Sequence, residues 1–135
     1  MDFSPAGYHM TKLPFEPSTP AQAAGMAALS DDQFLASSLE LNSRGLRQLT
    51  SGLEEIGIRV VPSQANFVMT ALPGEREARH IFEELLAQGV VVRPLKAFGL
   101  PNCLRISTGT DEDNLLCIEA FRRSYAAIAG TDTVR

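Results

Sequence analysis

Apolar positions along the chain recur at helical spacing in some stretches and as short β-branched runs in others. The longest helical pattern is Leu35, Leu39, Leu46, Leu49, Leu53 and Ile56, which step by threes, fours and one seven. Ser30 and Gln33 form a capping-box pattern at its start, and Gly57 stands where a left-handed cap closes a helix. A shorter helix precedes it, opening near Pro20 with Ser18 or Thr19 as cap and running through AQAAGMAAL. Proline suits that first position, because its missing N–H would be unpaired anyway. Residues 58–61 then read as a strand stopped by Pro62, and residues 66–70 as a second. Pro73 and Gly74 make a turn into a helix over 75–88, with Ala78, Ile81, Phe82, Leu85 and Leu86 on one face. Gly89 repeats the helix–glycine–strand arrangement of Gly57 and leads into a strand over 90–93, which Pro94 ends. A loop over 95–102 carries Gly99 and Pro101, and 103–107 reads as a further strand. Thr110 with Asp113 is a second capping box, opening a last helix with the stripe Leu115, Ile118, Phe121, Tyr125 and Ile128.

One apolar stripe per helix implies helices packed on one face of a small sheet. The pattern predicts an α+β fold: a two-layer small domain with a mainly antiparallel sheet of three or four strands and helices on one face. Residues 1–17 read as an extended N-terminal arm, since Pro5, Gly7, Pro14 and Pro17 break any helix. The domain proper is expected over 18–130, with a loose tail at 131–135.

Composition narrows the picture without changing it. The 135 residues are 44% hydrophobic and 21% charged, ordinary for one globular domain and small for a complete cofactor enzyme. A net charge of −4 points to neither a nucleic-acid nor an anionic-membrane surface. The apolar runs are too interrupted to span a bilayer, and the start lacks the basic-then-apolar order of a secretory signal. Cys103 and Cys117 lack CxxC spacing, and with only His9 and His80 no four-ligand zinc set of Cys and His can be assembled. Reduced thiols in a cytoplasmic protein are the expectation.

Candidate chemistry is sparse. The phosphate-cradling glycine patterns and the GxSxG elbow are absent from the sequence, and neither histidine is spaced to serve a nucleophile. His80 reads as a solvated residue of a charged helix. The run Asp111-Glu112-Asp113 sits in the first turn of a helix, where negative charge is stabilised, and that reading is preferred to cation binding. Arg93 ends one strand, and Arg105 lies inside another between Leu104 and Ile106. An arginine in a half-buried strand needs anionic partners: either a neighbouring Asp or Glu in a structural pair, or a carboxylate or phosphate ligand matched by its planar fork. Lys12 and Lys96 are the two lysines. Neither lies beside a serine-rich phosphate cradle, so both read as surface residues and no residue of the chain is assigned as catalytic, cofactor-binding or metal-binding.

Several segments together resemble the histidinol-phosphate aminotransferase family. They are KLPFEPSTPAQAAGMAALSDDQFL at 12–35, ELNSRGLRQLTSGLEEIGIRVVPSQANFVM at 40–69, GVVVRPL at 89–95 and GLPNCLRISTGTDEDN at 99–114, and the resemblance spans residues 12–128. It implies the C-terminal small domain of a fold type I, pyridoxal 5'-phosphate-dependent aminotransferase, normally a homodimer and in this family part of histidine biosynthesis. By resemblance, Arg105 binds the substrate carboxylate, Arg93 lies near the distal phosphate of an amino-acid or amino-alcohol phosphate, and Asn66 sits at the rim. The family's Schiff-base lysine belongs to a large-domain segment with no counterpart here. LKAFGLPN resembles that segment only superficially, because it falls where the family has a variable loop. The expectation is therefore a domain that contributes the carboxylate arginine and is inactive alone. The alternative is a non-catalytic carboxylate-binding or self-associating module derived from an aminotransferase.

Overall fold

The computed structural model describes residues 16–129, with side chains placed as far as Ala126. The expected arm and tail, with Lys12 and His9, fall outside the described residues, except for Glu16 and Pro17, which form neither helix nor strand. The chain divides into two compact units, residues 1–36 and 37–135.

In the first unit, helix α1 spans Thr19–Ala28 and buries none of its residues. Ser18 caps it by accepting the Ala21 N–H at 3.4 Å, with Pro20 in the first turn, as its sequence predicts. Helix α2, Asp32–Glu55, starts differently from expectation. Its first turn is capped by Asp31, whose carboxylate accepts the Phe34 N–H at 2.9 Å, and not by Ser30. An ionised acceptor at a helix start is stronger than a hydroxyl, so the boundary shifts by one residue.

The second unit carries the sheet. Its strands are β1 (Arg59–Val61), β2 (Phe67–Ala71), β3 (Arg93–Pro94) and β4 (Cys103–Ser107), all antiparallel, in the spatial order β1-β2-β4-β3. Helix α3 spans Glu75–Ala87, a 3₁₀ turn spans Lys96–Phe98, and α4 spans Asp111–Ala129. Gly57 and Gly89 adopt φ of 84° and 80° and close α2 and α3 in the same way. The amide after each glycine reaches back to the helix, Ile58 N–H to Leu53 at 3.0 Å and Val90 N–H to Leu85 at 2.9 Å. These are the long bonds of a Schellman close, which needs a left-handed residue.

Val60, Val68, Leu104 and Ile106 line one side of the sheet and join Leu49 and Leu53 of α2, Ile81 and Leu85 of α3, and Ile118 and Phe121 of α4 in one buried cluster. The second unit is thus the two-layer α+β arrangement that its pattern predicts. Thr70 shares this buried side, and its hydroxyl donates to the Leu104 carbonyl at 3.3 Å.

Three sequence expectations need correction. The strand over 90–93 contracts to Arg93–Pro94, with Val91 exposed. Pro94 lies inside it, which an edge strand tolerates because one side of its ladder has no neighbour to bond. Leu86, Leu35 and Leu39 are more exposed than buried. On α4 the inner face is Asn114, Cys117, Ile118, Phe121 and Ser124, and Leu115 points away from it. Asn114 takes the core-facing place because its Oδ1 accepts the Gly109 N–H at 3.0 Å while its Nδ2 donates to Gln48 at 3.1 Å. Ile128 has no described side chain.

Candidate functional site

Strand register decides which side chains share a surface. Val61, Met69, Arg105 and Arg93 stand opposite one another in a single row across the four strands. Strand alternation puts Phe67 and Arg59 on the same side as that row, turned away from the buried cluster. Among the described residues, Arg44, Arg76, Arg79 and Arg122 pair with carboxylates, and Arg47 and Arg123 donate to Ser43 and Gln88. Arg59, Arg93 and Arg105 have no such partner among the described residues, and all three lie on the side of the sheet opposite the buried cluster.

Arg105 stands out further. Its Nε is fully buried yet meets no hydrogen-bond acceptor. A buried donor left unmatched costs about 1–3 kcal/mol, so a domain keeps one only where something else repays it. Arg93 lies directly across the strand pair, and like charges so placed destabilise a sheet. An anion seated between the two forks would relieve both defects. The alternative of a structural pair between Arg105 and a nearby Asp or Glu is not realised among the described residues. Both guanidiniums rest on aromatic rings: Arg105 lies 5.1 Å from the centroid of Phe67, and Arg93 lies 5.2 Å from that of Phe98. Sequence reasoning missed these rings and Arg59. The alternation of β2 carried a signal for Phe67, since it shares a side with Met69.

Asn66 is placed apart from the two arginines, at the start of β2 just before Phe67. Its carbonyl accepts the Thr108 N–H at 2.9 Å, and the Thr108 hydroxyl lies 3.1 Å from the same carbonyl and 2.9 Å from Asn42 Oδ1. The Asn66 side chain borders a shallow cavity of ≈ 580 Å³ with Ser38, Leu39, Asn42, Thr108 and Asp113. The structure therefore brings Arg93 and Arg105 together and leaves Asn66 at the end of the sheet.

The remaining titratable groups read as structural. Asp111, Glu112 and Asp113 occupy the first turn of α4. The Thr110 hydroxyl and amide, both bonded to Asp113, hold its carboxyl below the usual range. Arg44 is held above its ordinary value mainly by its hydrogen bond to Asp111. His80 is exposed on α3. Cys103 and Cys117 are both buried free thiols, and burial pushes Cys117 up to about 11.

Pyridoxal phosphate does not fit the described residues as a resident group. A lysine that joins a carbonyl needs a desolvated amine. Lys96 is exposed and ion-paired to Glu75, on a 3₁₀ turn that offers no ring of amides and hydroxyls for a phosphate.

Comparison with known proteins places the chain in a family. The model of the "aminotransferase class I and II" family matches residues 8–121. The chain is 44% identical over 113 residues to a histidinol-phosphate aminotransferase of Oleidesulfovibrio alaskensis, covering 82% of this chain and 30% of that protein. It is 45% identical over 116 residues to histidinol-phosphate aminotransferase 2 of Ralstonia nicotianae, covering 85% of this chain and 31% of the relative. The chain thus spans under a third of the curated relatives it matches. Among solved structures, a putative aminotransferase of Burkholderia pseudomallei superposes with a TM-score of 0.72 at 29% identity, over 89% of this chain and 36% of that one. The fold also matches histidinol-phosphate aminotransferase of Sinorhizobium meliloti, solved with pyridoxal-5'-phosphate, with a TM-score of 0.79 at 24% identity, over 90% of this chain and 34% of that one. On the family model that matches most of its length and on relatives 44–45% identical to it, the chain belongs to the class I and II aminotransferase family.

Proposed function

We propose that the chain acts as the C-terminal small domain of a pyridoxal-phosphate-dependent aminotransferase of the histidinol-phosphate type, and that it contributes the arginine that grips the substrate carboxylate. The observation that carries this is Arg105: a half-buried strand arginine whose Nε has no acceptor, facing a second unpaired arginine across the ladder. In this reading the Arg105 fork takes the α-carboxylate in two parallel hydrogen bonds. That fixes the α-carbon in one orientation, so the proton leaves from the correct atom. Arg93 faces the distal anionic group of the same substrate, and Asn66 contributes to the rim beyond Phe67. The cofactor and its lysine belong to the remainder of the parent enzyme, so this chain alone carries no turnover.

Titration of the purified chain with 2-oxoglutarate, followed by calorimetry, tests the clamp. Arg105→Ala is expected to weaken binding by at least about tenfold, because a hydrogen bond to a charged group contributes about 1.5–3 kcal/mol. Equal affinity in the two proteins sinks the assignment. Incubation with pyridoxal phosphate and borohydride, followed by peptide mapping, tests the rest: a stoichiometric adduct on Lys96 accompanied by turnover would overturn the claim of inactivity.

A further inference from the structure

We propose that Phe67 and Phe98 are positioning residues, each ring holding one of the two facing guanidiniums in place while leaving its charge uncancelled. This rests on reading Arg105 as the carboxylate clamp, and the test below separates the two ideas.

An arginine can be oriented in two ways. A carboxylate partner fixes it strongly but neutralises it and competes with any incoming anion. An aromatic face fixes the plane of the fork, attracts the cation weakly, and leaves the charge to act elsewhere. Six of the described arginines divide along this line, while Arg47 and Arg123 donate to neutral side chains. Arg44, Arg76, Arg79 and Arg122 use carboxylates. Arg105 and Arg93 use rings, at 5.1 and 5.2 Å. They are also the pair that register places face to face.

The two rings are themselves fixed by different means. Phe67 belongs to β2, opposite Ser107 and so diagonal to Arg105, a spacing that aromatic and long side chains bridge. Phe98 belongs to the 3₁₀ turn. Its N–H donates to the Leu95 carbonyl at 2.9 Å, Gly99 turns the chain with φ of 78°, and Lys96 is ion-paired to Glu75 in the first turn of α3. Phe98 is 63% exposed, so packing does not account for where its ring lies. Its contact with Arg93 does. The result is two positive forks side by side, each against a ring, an arrangement suited to a ligand with two anionic groups.

Arginine Nε–Hε correlations of the ¹⁵N-labelled chain, assigned with Arg93→Lys and Arg105→Lys, read the proposal directly. In Phe98→Leu the Arg93 signal should lose its ring-induced shift while that of Arg105 stays, and in Phe67→Leu the reverse. Affinity for 2-oxoglutarate should fall about 2- to 5-fold in each and return in the Phe→Tyr variants. Phe98→Leu lies on an exposed turn, so it remains informative even where Phe67→Leu fails to fold. Unchanged arginine signals in Phe98→Leu, or a loss of affinity that the tyrosine variants do not restore, would overturn the positioning role. A wild-type chain that does not bind 2-oxoglutarate would instead remove the carboxylate reading, and the Nε–Hε shifts would still decide whether the rings hold the forks.

Discussion

Cys117 shows how far burial alone can set chemistry at one residue. It sits on the inner face of α4 beside Ile118, Ala120 and Phe121, and burial pushes its thiol up to about 11. Thiolate is the reactive form, so the native protein at pH 8 should leave Cys117 unlabelled by iodoacetamide while the denatured chain labels fully. Rapid native labelling, read by mass spectrometry, would contradict the packing. The same shift has a sign for stability. A folded value above the unfolded one of about 8.5 contributes fully below that value and is lost as pH rises toward about 11. Legibility also differs from residue to residue. Arg105 could be read from its place between Leu104 and Ile106, because a charge in an apolar strand demands a partner. Phe67 could be placed on the right face by alternation, yet nothing local says that its ring supports an arginine. Phe98 was invisible, since its contact depends on a 3₁₀ turn that sequence reads only as loop.

Among the elements, α2 and α4 meet closely at Gly52. A Cβ added at Gly52 would lie 2.5 Å from Ile118 Cδ1 and 2.9 Å from its Cγ1. Ile118 is β-branched and 5% exposed, so it has little room to move. Replacing a helical glycine by alanine normally gains about 1 kcal/mol, and overpacking a core costs about 1–3 kcal/mol. Here the clash wins: Gly52→Ala should lower unfolding stability by about 1–2 kcal/mol, with partial recovery on adding Ile118→Val. A denaturant series showing stabilisation would refute this. At the start of α4, the Thr110 hydroxyl and the Asp113 carboxylate form the capping box that the sequence predicts, with the Asp113 N–H donating to Thr110 Oγ1 at 3.2 Å and the Thr110 N–H to Asp113 at 3.1 Å. Because Asp113 is held below its ordinary value, its contribution is present above about pH 4 and disappears as pH falls through the lowered folded value. The acid limb of a stability–pH curve should therefore be shallower in Asp113→Asn than in the wild type. Helices, left-handed closes and the caps at Ser18 and Thr110 were legible because they are short-range, whereas the cap of α2 falls on Asp31, one residue past Ser30. The shortness of β3 was not, because three consecutive valines promise a strand whether or not a ladder partner meets them.

For the whole molecule, the exposed apolar side chains matter most. In the first unit Met26, Leu29, Phe34 and Leu35 are each more than half exposed, which a monomer in water seldom sustains. The chain should therefore associate, and light scattering at tens of micromolar is expected to give a mass above that of one copy. A clean monomer at that concentration would count against it. Among the described residues no helix is long and apolar enough to cross a membrane, so that surface is not a bilayer-spanning one of this kind.

The strand order has a consequence for how the molecule comes into being. β4 lies between β2 and β3, although it is the last of the four to be synthesised. Until residues 103–107 leave the ribosome, β2 and β3 have no common neighbour, and only the β1–β2 hairpin can pair. Seating β4 closes the sheet and in the same motion brings Arg105 opposite Arg93. Protection of the amides that β2 and β4 turn toward each other should thus rise together during refolding, while that of the amides shared by β1 and β2 can precede it. The proposed anion site is acquired with the final strand, so a chain stalled before Cys103 holds Arg93 without the Arg105 that faces it.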